Sequence, residues 1–147
     1  MMSELQSDYM KSNAIENVVY NKLSKKEYCE LLNSKSDRAL KAQELLNYLC
    51  DKYKISRIKL NVLNKGRKIS GKSQTYGFYK FCNKKGISIT IYNKTAKTDK
   101  EVSIKTFTST LLHEFMHHYD TEFLQIYSKH TSGFYKRISD LEKKLKK

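Results

Sequence analysis

The sequence predicts an α+β fold, on three observations. Residues 37–53 repeat apolar side chains at helical spacing, residues 58–91 hold three segments rich in β-branched and aromatic residues, and helical spacing returns after residue 101. Strands that arrive as one block between helices, instead of alternating with them, put sheet and helices in separate layers. The 147 residues, 39% of them hydrophobic, suffice for a single core.

Residues 1–35 are polar and irregular and read as an N-terminal extension, either a mobile arm or an added helix. Within them "SKKEYCELL" holds a helical turn or two, with Ser24 and Glu27 at the spacing of a capping box. Residues 36–147 form the domain proper. From Asp37 to Tyr53, Ala39/Leu40, Ala42, Leu45/Leu46 and Leu49 recur every three to four positions, the pattern of an amphipathic helix that covers a sheet. "ISRIKLNVL" alternates Ile58, Leu60 and Val62, "TYGFYKF" is aromatic, and "GISITIYNK" alternates Ile87, Ile89 and Ile91 with polar partners. They predict three strands, or four, in a meander. A long helix follows from Glu101 to near Ser128, and a last one from Phe134 to the end puts Phe134, Ile138, Leu141 and Leu145 on one stripe.

A net charge of +14 and a pI near 9.6 draw the chain toward anionic surfaces, nucleic acid first. Only four of the 29 basic residues are arginine, the better reader of bases and phosphates, so the expected affinity is weak, non-specific and salt-sensitive. Cys29, Cys50 and Cys82 are odd in number and show no CxxC spacing, which excludes a readable disulfide framework or zinc ribbon. No apolar run approaches the roughly 20 residues of a membrane span, and the start "MMSELQSDYMKSN" lacks the apolar stretch of a signal peptide. The expectation is a cytoplasmic protein with no membrane partner.

All four histidines, His113, His117, His118 and His130, fall within eighteen positions. Imidazoles wanted together usually hold a metal. His113-Glu114-Phe115-Met116-His117 is an HExxH sequence, and on a helix its two histidines stand about 40° apart and roughly 6 Å from each other. Leu112, Phe115, Met116, Tyr119, Phe123 and Ile126 occupy another arc that roots the helix in the core. Zinc suits neutral imidazoles, and a catalytic site keeps three protein ligands and an open position. His130, returning through the turn "SKHTSG", is the expected third ligand; Asp120 is the competitor, better placed for contact with a ligand imidazole. Glu114, about 100° around from His113, sits beside the ion as a general base. His118 points away and reads as a packed or half-exposed residue. Tyr127 and Tyr135 are candidate second donors to an oxyanion.

"GRKISGKS", residues 66–73, fits the P-loop pattern GxxxxGK[ST]. A P-loop needs a helix after it, and "QTYGFYKF" favours a strand, so the stretch reads as a basic inter-strand loop.

The chain resembles the Spartan-related, SprT-like zinc metalloprotease domain through "HEFMH" and "HTSGFYKRI", where His130 is followed four residues later by Phe134. The order of helix, small sheet, HExxH helix and returning histidine agrees over about Ser36 to the C-terminus. The family usually has glycine after the third histidine, and this chain has Thr131. The four-cysteine ribbon of many members is missing. The resemblance implies a minimal zincin-like fold, zinc ligands His113, His117 and His130, and a catalytic Glu114.

The expected function is therefore zinc-dependent (Zn2+) hydrolysis of protein or peptide substrates, whose chain adds as an extended strand beside "GISITIYNK". Basic loops around residues 65–85 would face nucleic acid. The rival is a basic nucleic-acid-binding module with a structural metal, against which Glu114 counts. A peptidase of the phage-repressor-cleaving kind is a third reading and would take an acidic third ligand in place of His130.

Overall fold

The computed structural model describes residues 3–65, 76–82, 86–95 and 100–146. These residues form an α+β fold of five α-helices and one three-stranded mixed sheet. Residues 66–73, the stretch with P-loop spacing, and most of the basic region at 65–85 lie outside the described residues.

Residues 3–35 hold two helices joined by an irregular stretch. Helix α1 (Glu4–Ala14) opens on a capping box in which the Ser3 hydroxyl accepts the Gln6 N–H and the Gln6 side chain accepts the Ser3 N–H. It packs on the C-terminal helix. Helix α2 (Lys26–Leu32) starts after Lys25, which places Glu27 one position too early for the expected box; Ser24 accepts the Lys26 N–H instead. Val18, Leu23, Tyr28 and Leu31 are buried in the main core. Burying one such side chain is worth about 1.5–3 kcal/mol, enough to hold the segment down.

Helix α3 (Arg38–Tyr53) buries Ala42, Leu45, Leu46, Leu49 and Tyr53, while Leu40 is left exposed. Lys54, left-handed at φ 57°, ends it and turns the chain into the sheet.

Strands β1 (Lys59–Leu63), β2 (Gly77–Cys82) and β3 (Gly86–Tyr92) lie in the order β1-β3-β2. β3 runs parallel to β1 and antiparallel to β2. The expected meander is thus corrected: the chain leaves β1, builds the far edge and returns to the centre. Period-two alternation identifies a strand without choosing its neighbours. Burial explains the choice, since Ile89, Thr90 and Ile91 are all buried and only a central strand covers consecutive residues on both faces.

Helix α4 (Ile104–His118) is capped by Ser103, whose hydroxyl accepts the Thr106 N–H at 3.1 Å. It lies against β2 and β3 and buries Phe107, Leu111, Leu112, Phe115 and Met116. Its approach is close enough to require Gly77, where a Cβ would stand 2.8 Å from both Thr110 Cγ2 and the Thr90 carbonyl. Beyond His118 the helix widens to a π-helical turn over Tyr119–Leu124, so it ends somewhat before the expected Ser128. Of the expected stripe on helix α5 (Ser132–Lys146), Phe134, Leu141 and Leu145 are buried and Ile138 is half-buried, and Arg137 is buried with them. Among the described residues no helix is long and apolar enough to cross a membrane.

Candidate metal centre

The HExxH residues sit on the last turns of α4. His113 and His117 share a face, with ring centroids 5.2 Å apart. The π-helical turn then carries the chain past the helix end, and Gln125, left-handed at φ 57°, sends it back. His130 returns on this segment and places its ring 5.0 Å from each of the other two. Its Nε2 lies 3.0 Å from that of His117. One ring nitrogen from each of the three falls within 4.8 Å of the others. A tetrahedral ion with bonds of about 2.0–2.1 Å spaces its donors by roughly 3.4 Å, so this donor set fits a zinc-like cation after small ring rotations. Three imidazole nitrogens suit zinc and its neighbours among the transition metals.

Phe134 forms the floor. Its ring centroid is 5.2 Å from His113, 4.8 Å from His117 and 5.3 Å from His130, and it is fully buried at the start of α5. A single aromatic side chain thereby limits the tilt of all three imidazoles.

Electrostatics keep the cluster ready for a cation. Burial pushes His117 down to about 3, with help from the His113 and His130 rings, since a positive charge on one disfavours charge on the next. His113 is lowered by the same causes, burial first and then His130. Neutral imidazole is the form that ligates.

Glu114 is buried beside the cluster, its Oε2 4.0 Å from His113 Nε2. Burial raises its carboxyl to about 7, and the Tyr79 backbone N–H pulls it partly back. It therefore lies next to the histidine nitrogens without joining the three-histidine set.

His118 lies outside that set for a stated reason. Its Nε2–H donates to the Ser56 carbonyl at 2.7 Å, which leaves Nδ1 to accept the Tyr79 hydroxyl at 3.1 Å. Both nitrogens are used, and the ring is fully buried. Asp120, weighed as an alternative ligand, is also fully buried and pairs with Arg137 Nη2 at 2.8 Å. Burial raises its carboxyl, while the Arg137 guanidinium and the Ser128 hydroxyl pull the other way. The contact expected between Asp120 and a ligand imidazole is relayed, not direct. Ser128 donates to Asp120 Oδ2 at 2.8 Å, and the same Ser128 oxygen lies 2.8 Å from His117 Nδ1.

Ser128 and Arg137 are the residues that sequence reasoning missed. Arg137 carried a signal: it stands three residues after Phe134 and four before Leu141, on the apolar stripe of α5, where a charge must find a buried partner. Ser128 carried none beyond its place in the returning turn.

The three histidines and Glu114 open on a cleft of about 880 Å³. One wall is the start of β2, Gly77 to Tyr79, and the other is α1, through Glu4, Leu5 and Asp8. β3 is the central strand, paired on both sides, so it cannot accept the added strand expected there. β2 is the edge that borders the cleft. Of the tyrosines considered as donors, Tyr127 lines the cleft, and Tyr135 lies outside it with its ring 5.9 Å from that of His130.

Compared with protein-family models, curated proteins and solved structures, the chain has no match.

Proposed function

We propose that the chain is a zinc-dependent peptidase of the SprT-like kind, with His113, His117 and His130 as ligands and Glu114 as general base. The convergence of three imidazoles beside a buried carboxyl, in an open cleft, carries this reading. The resemblance carried by "HEFMH" and "HTSGFYKRI" supports it from the sequence side.

Zinc held by these rings would supply Lewis acidity, lowering the pKa of a water to about 7 and polarising a substrate carbonyl. The chain's own groups do the rest. Glu114 accepts a proton from water in the cleft on a carboxylate oxygen and returns it to the departing amine nitrogen. Phe134 holds the imidazoles against rotation. β2 offers its outer edge to an extended peptide, whose own main chain would supply the matching hydrogen bonds. A nucleic-acid module with a structural metal is the weaker reading, because such a metal normally takes four protein ligands and has no use for Glu114. The +14 net charge supports weak, salt-dependent attraction to nucleic acid as a property of the peptidase. We place it in the cytoplasm.

The test is Glu114→Gln. The variant should bind one zinc per chain and lose cleavage of unfolded protein or peptide; cleavage at the wild-type rate ends the proposal.

A further inference from the structure

We propose that Ser128 is a positioning residue of the metal centre, its hydroxyl locking His117 as the Nδ1–H tautomer. The Asp120–Arg137 pair and the end of α1 hold that hydroxyl in direction. This role rests on the metal-site reading above.

A serine hydroxyl has one proton, and here the proton is spoken for: Ser128 Oγ donates to Asp120 Oδ2 at 2.8 Å. Asp120 cannot be the donor in that pair, because the same oxygen accepts Arg137 Nη2–H at 2.8 Å, and a guanidinium has hydrogens to give and no lone pair. Ser128 therefore faces His117 Nδ1, also at 2.8 Å, with a lone pair, and Nδ1 must carry the ring's proton. The bare nitrogen is then Nε2, the atom that meets His130 Nε2 at 3.0 Å. The hydrogen-bond chain thus selects the one tautomer of His117 whose lone pair points at the other histidines.

The chain continues to the N-terminal helix. Arg137 Nη1 donates to the Ser12 carbonyl at 2.6 Å and the Ile15 carbonyl at 2.7 Å, and Nη2 donates to the Ser12 hydroxyl at 3.1 Å. Those carbonyls belong to the C-terminal end of α1, where the helix dipole favours a cation. Arg137 is fully buried, so its charge needs both Asp120 and α1. With the guanidinium fixed from two sides, Asp120 is fixed, and with it the direction of the Ser128 O–H.

Metal-free protein labelled with nitrogen-15 reads the tautomer directly from the long-range proton couplings of the His117 ring, without reference to catalysis. Wild type should show Nδ1–H. Ser128→Ala should move His117 toward Nε2–H and weaken zinc binding, measured by competition with a chromophoric chelator, by about 10- to 100-fold. Ser128→Thr, which keeps the hydroxyl, should restore both. Asp120→Asn should keep the Nδ1–H tautomer, because Arg137 Nη2–H calls for the amide oxygen at the Oδ2 position and that oxygen still accepts the Ser128 hydroxyl. A Ser128→Ala protein with wild-type tautomer and affinity, or a Ser128→Thr protein as impaired as Ser128→Ala, overturns this role alone. A wild-type chain that takes up no zinc overturns the peptidase reading and this role together.

Discussion

The hydroxyl of Ser12 lies 2.8 Å from that of Thr131, across 119 residues of sequence. Both side chains are buried, Thr131 follows His130 directly, and Ser12 sits two residues from the end of α1. The position after His130, where the resembled family usually has glycine, is here the point at which α1 is fastened to the His130 segment. Thr131→Gly should therefore loosen α1 without disturbing α4, seen as faster hydrogen exchange confined to residues 4–14 and 128–134.

Gly133→Ala should be more damaging. A Cβ there would lie 2.2 Å from the Ser12 carbonyl oxygen and 2.7 Å from that of Asn13, and both are backbone atoms with little freedom to yield. Overpacking of this kind costs about 1–3 kcal/mol, and the expected lower midpoint in urea measures it.

Arg137→Met removes one member of a fully buried ion pair and leaves the buried Asp120 carboxyl with the Ser128 hydroxyl and no cation. Loss of one partner of such a pair costs about 3–5 kcal/mol, while Arg137→Met combined with Asp120→Leu should recover much of it. A double-mutant cycle by chemical denaturation gives the coupling; a cycle with no coupling would show that the pair contributes nothing to the fold.

His130→Ala tests the donor set from its exposed side. Zinc stoichiometry by metal analysis should fall below one per chain at micromolar zinc, with the fold intact, because His130 is exposed and outside the core cluster. Unchanged tight binding would mean that another group supplies the third donor.

Acid should loosen the same end of the molecule. Burial alone would raise the Asp140 carboxyl, but hydrogen bonds from Lys144, the Val18 N–H and Asn17 outweigh it and leave the group lowered. A carboxyl held lower in the folded state than in the unfolded chain adds stability that is complete above its unfolded value, about 3.9, and is lost as pH falls through the folded one. Asp140→Asn should therefore be less stable than wild type at pH 6 and converge with it as pH falls below the lowered folded value, by urea midpoint.

Much of the fold was legible because periodicity reports burial. The stripes of α3, α4 and α5 and the alternation of β1 and β3 follow directly from which face meets the core. Strand order was not legible, since Ile89 and Ile91 say that β3 is a strand and only the burial of Thr90 between them says that it is central. The convergence of His113, His117 and His130 could be read from helical geometry and a return turn. The Ser128–Asp120–Arg137–Ser12 chain could not, because it joins four segments whose proximity arises only on folding. The packing of α1 was not legible for a related reason: its buried residue is Ser12, a polar side chain that leaves no apolar stripe.

The clamp on the His130 segment has a consequence for biosynthesis. Its parts lie about 120 residues apart, so a ribosome has released α1 long before α5 exists to receive it. The growing chain carries the HExxH helix for some time without the cage that orients it. The direction of the Ser128 hydroxyl at His117 then waits on α5, and a chain cut before Arg137 would hold the three histidines without the guanidinium that fixes Asp120 and Ser128.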